Sequence, residues 1–246
     1  MNLGDIYYRS QELIGKDQFG KYFPPADFIK YAQWINQIGL MNKYIAEYEA
    51  SRVISNNIRP FFKTLGTDQE PPLALNATGE AFLPDDFYYF SSSYGSEFTN
   101  GCGTFTETQN PIEWVDDTTF GFRTGSMMLL PTLSYPIATY RTRKSGSKYL
   151  PCIKVSPVMS SIVMTYLRQP KSAIFDYDIV NGTIIFLPPG TTHTNNSVLP
   201  IGTPSQSVDL EWPDSAKDDF VEMLIFNFAR NIQDQLDIQI SKQQGA

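Results

Sequence analysis

The sequence predicts an α+β fold, with N- and C-terminal helices packed together beside a mainly antiparallel β sandwich or barrel-like region. Three observations predict it. Apolar residues recur at steps of three and four from Tyr31 to Tyr48, and again from Val221 to Ile240. The chain between these stripes breaks into short β-branched and aromatic runs separated by Gly, Pro and Asn turns. The expected organisation is a helical part over residues 1–70, a β-rich part over 71–212 and a closing helix over 213–246. The closing helix is expected to pack back on the first, giving one intertwined unit.

In order, residues 3–15 suit a short amphipathic helix through Leu3, Ile6, Tyr7, Leu13 and Ile14. Pro24-Pro25 and Asp27 open a longer helix, expected to run to near Asn57 on a stripe of Tyr31, Trp34, Ile38, Met41, Ile45 and Tyr48. Leu83–Tyr94 is the hinge: Pro84 forces an extended entry, Asp85 and Asp86 favour a turn, and the aromatic run after them has β character. Leu73–Leu75 is a further strand candidate, Ile112–Val115 is another strand or the start of a short helix, and Asn100–Gly103 reads as a hairpin tip. Residues 116–133 carry no clear pattern.

Pro136–Arg141 and Tyr149–Val155 read as strands around a charged turn, Arg143–Lys148. Ser161–Leu167 is another strand. The sharpest local signal is Asn181-Gly182 between Ile174–Val180 and Thr183–Leu187, the preferred pair for a type I′ hairpin. Thr191–Ser207 is polar enough to be a mobile or partner-ordered loop. Val208–Trp212 suits a last short strand, and Pro213-Asp214-Ser215 starts the closing helix.

Composition narrows the function. No apolar run reaches the roughly 18 residues a membrane span needs, and Asp5, Arg9 and Glu12 occupy the place of a signal-peptide core. The expectation is a protein made and used without export. Cys102 and Cys152, fifty positions apart, fit two free thiols better than a metal or redox motif. The net charge of −7 is uneven: from Thr118 to Phe175 there is no Asp or Glu but eight Lys and Arg, leaving −15 for the flanks. Such a basic middle suits contact with another copy's acidic flanks or with a phosphate backbone. Arg141, Arg143, Lys144 and Lys148 are the candidate contact residues, for a neighbouring subunit or for DNA.

Catalytic motifs are missing. The single His193 lies in the Thr- and Asn-rich loop, with no nucleophile elbow in the sequence. Asp176-Tyr177-Asp178 starts like a calcium loop but lacks its third ligand, its Gly and its closing Glu. The sequence therefore predicts no catalytic, metal or cofactor site. Tyr88, Tyr89 and Tyr94 offer an alternative as a stacking face of a carbohydrate-binding or tail-fibre-associated module.

Four blocks in order carry a resemblance. Leu83-Pro84-Asp85-Asp86-Phe87-Tyr88-Tyr89, Ser134-Tyr135-Pro136-Ile137-Ala138-Thr139-Tyr140, Tyr166-Leu167-Arg168-Gln169-Pro170 and Val208-Asp209-Leu210-Glu211-Trp212-Pro213 together resemble neck ring proteins of crAss-like tailed bacteriophages. The blocks span about residues 80–240. The resemblance implies a virion structural protein, a head–tail connector rather than an enzyme, without cofactor. It implies a closed homo-oligomeric ring, usually of twelve copies, below the portal and around the DNA exit channel. Partners would be the portal, other neck or tail proteins and, non-specifically, genomic DNA, with assembly in the host bacterial cytoplasm.

Overall fold

The computed structural model describes residues 1–16, 24–67, 70–100, 103–106, 110–196 and 198–244. In chain order the helices are α1 (Leu3–Lys16), α2 (Pro25–Trp34), a π-helical turn (Ile35–Gly39), α3 (Leu40–Ser51), α4 (Asp117–Gly125) and α5 (Lys217–Gln244). The strands are β1 (Phe62–Leu65), β2 (Leu73–Ala74), β3 (Glu80–Phe82), β4 (Phe87–Asn100), β5 (Gly103–Thr106) and β6 (Glu113–Trp114). They continue as β7 (Ile137–Ser145), β8 (Lys148–Ser156), β9 (Ser161–Arg168), β10 (Tyr177–Val180) and β11 (Thr183–Phe186). The fold is α+β, as expected. Its two compact units are Met1–Pro60 with Pro170–Ala246, and Phe61–Gln169.

This division differs from 1–70, 71–212 and 213–246. Sheet begins at Phe62, before the Leu83–Tyr94 hinge, and the chain leaves the β unit at Pro170. The β10–β11 hairpin belongs with the helices because its aromatic residues do. Phe175 lies 5.0 Å from the rings of both Tyr7 and Phe28 and stacks on Phe186 at 5.1 Å. The amide of Phe186 donates to the Tyr8 hydroxyl at 3.0 Å. Asn181 and Gly182 both have positive φ, the backbone a type I′ turn requires.

In the helical unit, α5 packs on α1 and α2, so the terminal helices meet as predicted. Tyr44 donates to Asp219 at 2.6 Å and accepts from Asn57 at 2.8 Å. Burial above all, then the bond to Asp219, pushes the Tyr44 hydroxyl well above its usual range. The expected single stripe over 26–57 is corrected. The π turn inserts an extra residue, rotating later side chains by roughly 100°. Trp34 and Ile38 are exposed, while Asn36, Gly39, Leu40 and Tyr44 are buried. The helix ends at Ser51 rather than near Asn57, because Arg52 turns left-handed (φ 56) and donates its amide to the Tyr48 carbonyl at 2.7 Å. On α5 the buried residues are Phe220, Val221, Leu224 and Phe228, with Ile225 half-buried. The expected Ile232, Leu236 and Ile240 lie outside the described side chains.

The β unit is two sheets sharing one core. The first runs β1-β9-β4-β5 with β2 also on β9; the second runs β3-β8-β7-β6. All pairings are antiparallel except β6 with β7. Leu65, Ile162, Met164 and Tyr166 from the first sheet meet Ala81, Ala138, Ile153 and Val155 from the second. That is a sandwich. Register shifts along β4 at Phe87/Tyr89, Phe90/Ser92 and Gly95/Glu97 are what allow one long strand to follow the twist of β9. The expected strand Val208–Trp212 is a single bridge, Val208 to Ile174, because the backbone groups of Leu210 and Trp212 bond to Met1 instead.

Candidate interaction surface

The four sequence-predicted residues all lie on the β7–β8 hairpin. Strands β6 and β3 pair only with its base, at Ile137–Ala138 and Cys152–Lys154. From Thr142 to Tyr149 it therefore stands as an exposed two-stranded ribbon, with Gly146 at φ 60 turning its tip. The structure separates the four. Arg141 donates from Nε and Nη2 to Asp117 Oδ1, at 2.9 and 2.7 Å, and lies over the Phe120 ring. Arg143 donates to Glu80 at 3.0 Å, and Lys154 approaches the same carboxylate at 3.6 Å. Lys144 and Lys148 have no acidic partner among the described residues, and the strand register puts them on opposite faces of the ribbon.

The acid-free run therefore does not make a basic surface. Arg123 pairs with Glu113, and Lys171 with Glu211 at 3.6 Å. The unit Phe61–Gln169 holds eight Lys and Arg against ten Asp and Glu. Charge that is segregated along the chain is neutralised by folding, because Glu80 of β3 and Asp117 of α4 reach the β7–β8 hairpin and Glu113 of β6 reaches α4.

A second surface had no signal in the periodicity. The stretch with no clear pattern begins with α4, which Asp116 caps by accepting from the Thr119 amide at 2.9 Å. After α4 the chain exposes Met127 (99%), Met128 (94%), Leu129, Leu130, Leu133 and Tyr135 (80%). Phe122 on α4 is exposed as well. The segment carries no charge between Arg123 and Arg141. Its backbone is pinned: Ser126 Oγ accepts from the amides of Met128 and Leu129, and the Tyr135 amide donates to the Thr132 carbonyl at 3.0 Å. These residues form a stretch of exposed apolar side chains of the kind that marks interaction sites on other proteins.

Phe87, Tyr88, Tyr89, Phe90, Trp114 and Tyr140 line a shallow hollow of about 360 Å³. Trp114 lies 4.1 Å from Phe90 and 4.4 Å from Tyr140, centroid to centroid, with both pairs tilted. Phe90, Trp114 and Tyr140 thus pack on one another at tilted angles. Tyr94 sits apart, bridged to Pro111. Beside the hollow, Tyr166 donates to Asp86 at 2.7 Å, and the Gln169 amide donates to the Asp86 carbonyl at 2.7 Å. These bonds tie the block beginning at Leu83 to the block beginning at Tyr166.

His193 is corrected most. Its loop is not a free polar excursion: His193 exchanges backbone bonds with Thr203 and Gly202, and Ser205 donates to Thr191. The imidazole is 1% exposed, with Nδ1 2.7 Å from Asp178 Oδ1 and Nε2 3.1 Å from Asp176 Oδ2. The bond to Asp178 above all, then that to Asp176, raises the imidazole above its ordinary value against the opposing effect of burial. Burial works against ionised Asp178, but bonds from the Thr194 amide, His193 and the Thr194 hydroxyl together hold its carboxyl below the usual range. Both ring nitrogens thus face carboxylate oxygens. The sequence signal was Asp176-Tyr177-Asp178, whose alternate spacing places two carboxylates on one side of the strand.

Among the described residues no group of three His, Cys, Asp or Glu is placed to hold a metal, and no helix is long and apolar enough to cross a membrane. Cys152 is free and buried, which raises its thiol, while Cys102 lies outside the described residues. No protein-family model matches the chain, and no curated protein matches it.

Proposed function

We propose that this chain is a non-enzymatic virion protein, one subunit of a closed ring in the neck of a tailed phage, serving as head–tail connector below the portal. The observation that carries the reading is the ordered, uncharged projection Met127–Tyr135. A protein working alone in water would bury such a run; a subunit buries it on a neighbour. A ring needs one patch to meet a different patch on the next copy, with the rotation closing.

The four-block resemblance gives this self-association its setting. It supplies the twelvefold copy number, the portal and other neck or tail proteins as neighbours, and assembly in the host cytoplasm. Lys144 and Lys148, standing unpaired on the ribbon, are the residues for non-specific contact with DNA in the exit channel or with a neighbouring subunit. Arg141 and Arg143 serve the same ribbon by holding its base to Asp117 and Glu80. Electron cryomicroscopy of the particle tests the reading. The chain is expected as a closed ring between portal and tail; particles with no such ring, or with this chain elsewhere, would refute it.

A further inference from the structure

The Asp176–His193–Asp178 cluster has a property independent of the ring reading. Ionised carboxylates only accept hydrogen bonds. His193 directs Nδ1 at one carboxylate and Nε2 at the other, at 2.7 and 3.1 Å. Both contacts are bonds only when both ring nitrogens carry protons. We infer that His193 is a proton-held latch: its imidazolium clasps the Thr191–Ser207 strap to the β10–β11 hairpin, and loss of one proton releases the strap.

Every other contact around the cluster fixes the carboxylates in place. Asp178 Oδ2 accepts from the Thr194 amide and hydroxyl, at 2.8 and 3.0 Å. Asp176 accepts from the amides of Tyr177 (2.9 Å) and Gln206 (3.0 Å), and Ser207 Oγ takes the Asp176 amide at 3.0 Å. The charged groups facing the imidazole are thus Asp176 and Asp178. With neutral His193, one ring lone pair faces a buried carboxylate, and the contact becomes repulsive. The strap's ends, at Thr194 and Gln206, hang on the same two carboxylates, so the repulsion acts directly on its closure.

The sign follows from linkage. The folded pKa of His193 is raised. The latch is therefore fully closed below the ordinary histidine value near 6.5, weakens as pH rises and is lost above the folded pKa. Between those limits strap opening rises by about tenfold per pH unit, the slope of a single proton.

One histidine in the chain makes the test direct. Nitrogen-15 NMR of the imidazole, read beside hydrogen exchange of the amides from His193 to Gln206, follows protonation and closure together in the full chain. The expected result is a ring that stays doubly protonated to a higher pH than an ordinary histidine, with strap protection that falls as the ring titrates, after correction for intrinsic exchange. Asp178→Asn supplies the second arm. Its side-chain oxygen keeps the Thr194 bonds while its N–H donates to neutral Nδ1, so the strap should stay closed with no pH dependence through the same range. A ring that titrates at or below the ordinary histidine value, or protection that ignores its titration, overturns the latch. An Asp178→Asn variant that keeps the wild-type pH profile does so too.

Discussion

Trp212 donates its indole N–H to the side-chain oxygen of Asn36 at 3.0 Å, across 176 positions of sequence and with both residues buried. The amide nitrogen of Asn36 donates in turn to the Lys171 carbonyl at 2.8 Å. One polar side chain, placed in the π turn, thus joins the helix to both ends of the segment that returns from the β unit. It is what makes a helix-stripe position polar.

Replacing Asn36 with Ala should be costly. It strands a buried indole N–H, takes the donor from the Lys171 carbonyl and opens a small cavity, a loss of about 2–4 kcal/mol. Trp212→Phe keeps most of the packing and should cost less. Urea denaturation of both variants checks the order; equal and small effects would deny Asn36 this role.

Gly79 carries the turn between β2 and β3 at φ 74, and a Cβ there would stand 2.6 Å from the Val155 carbonyl oxygen. The Val155 amide meanwhile donates to the Gly79 carbonyl at 2.8 Å, so neither strand can back away. Gly79→Ala should cost about 2 kcal/mol or more. Gly146→Ala, where nothing lies within reach of the new atom, should cost less because only the backbone strain remains. Thermal unfolding of the pair separates close approach from positive φ alone.

Charge reversal should split the basic ribbon in two. Arg143→Glu faces Glu80 directly and should lower stability by about 1 kcal/mol or more, discounted for partial exposure. Lys144→Glu with Lys148→Glu should leave stability within about 0.5 kcal/mol, since neither has an acid to lose, yet lower DNA retention or assembly. Chemical denaturation and particle yield measured together check this. Unchanged particles from the double variant would remove the ribbon tip from the contact surface.

Much of this fold is legible because its signals are local. Asn181-Gly182 specifies its turn through two residues that tolerate positive φ, and Pro24-Pro25 and Pro213 mark helix starts through fixed dihedrals. The illegible parts depend on partners far along the chain. The helix stripe misplaces Trp34 and Ile38 because the π turn shifts its phase around Asn36, whose partners lie beyond residue 170. Lys and Arg counts suggest a basic patch because sequence does not show that Asp117 and Glu80 fold onto β7. His193 reads as a loop residue because its two carboxylates lie on a different element. The apolar projection has no period to detect. Met127-Met128-Leu129-Leu130 looks like core until burial is known.

The native mass of the purified chain, alone and mixed with the portal protein of the proposed neck, tests the proposed ring most directly. Wild type should form a closed, high-order ring in at least one of these conditions. A variant with Met127, Met128, Leu129 and Leu130 all changed to Ser should stay monomeric and still unfold cooperatively, because all four side chains are more than half exposed in the monomer. Wild type that stays monomeric in both conditions, or a quadruple variant that assembles as well as wild type, would contradict the proposal.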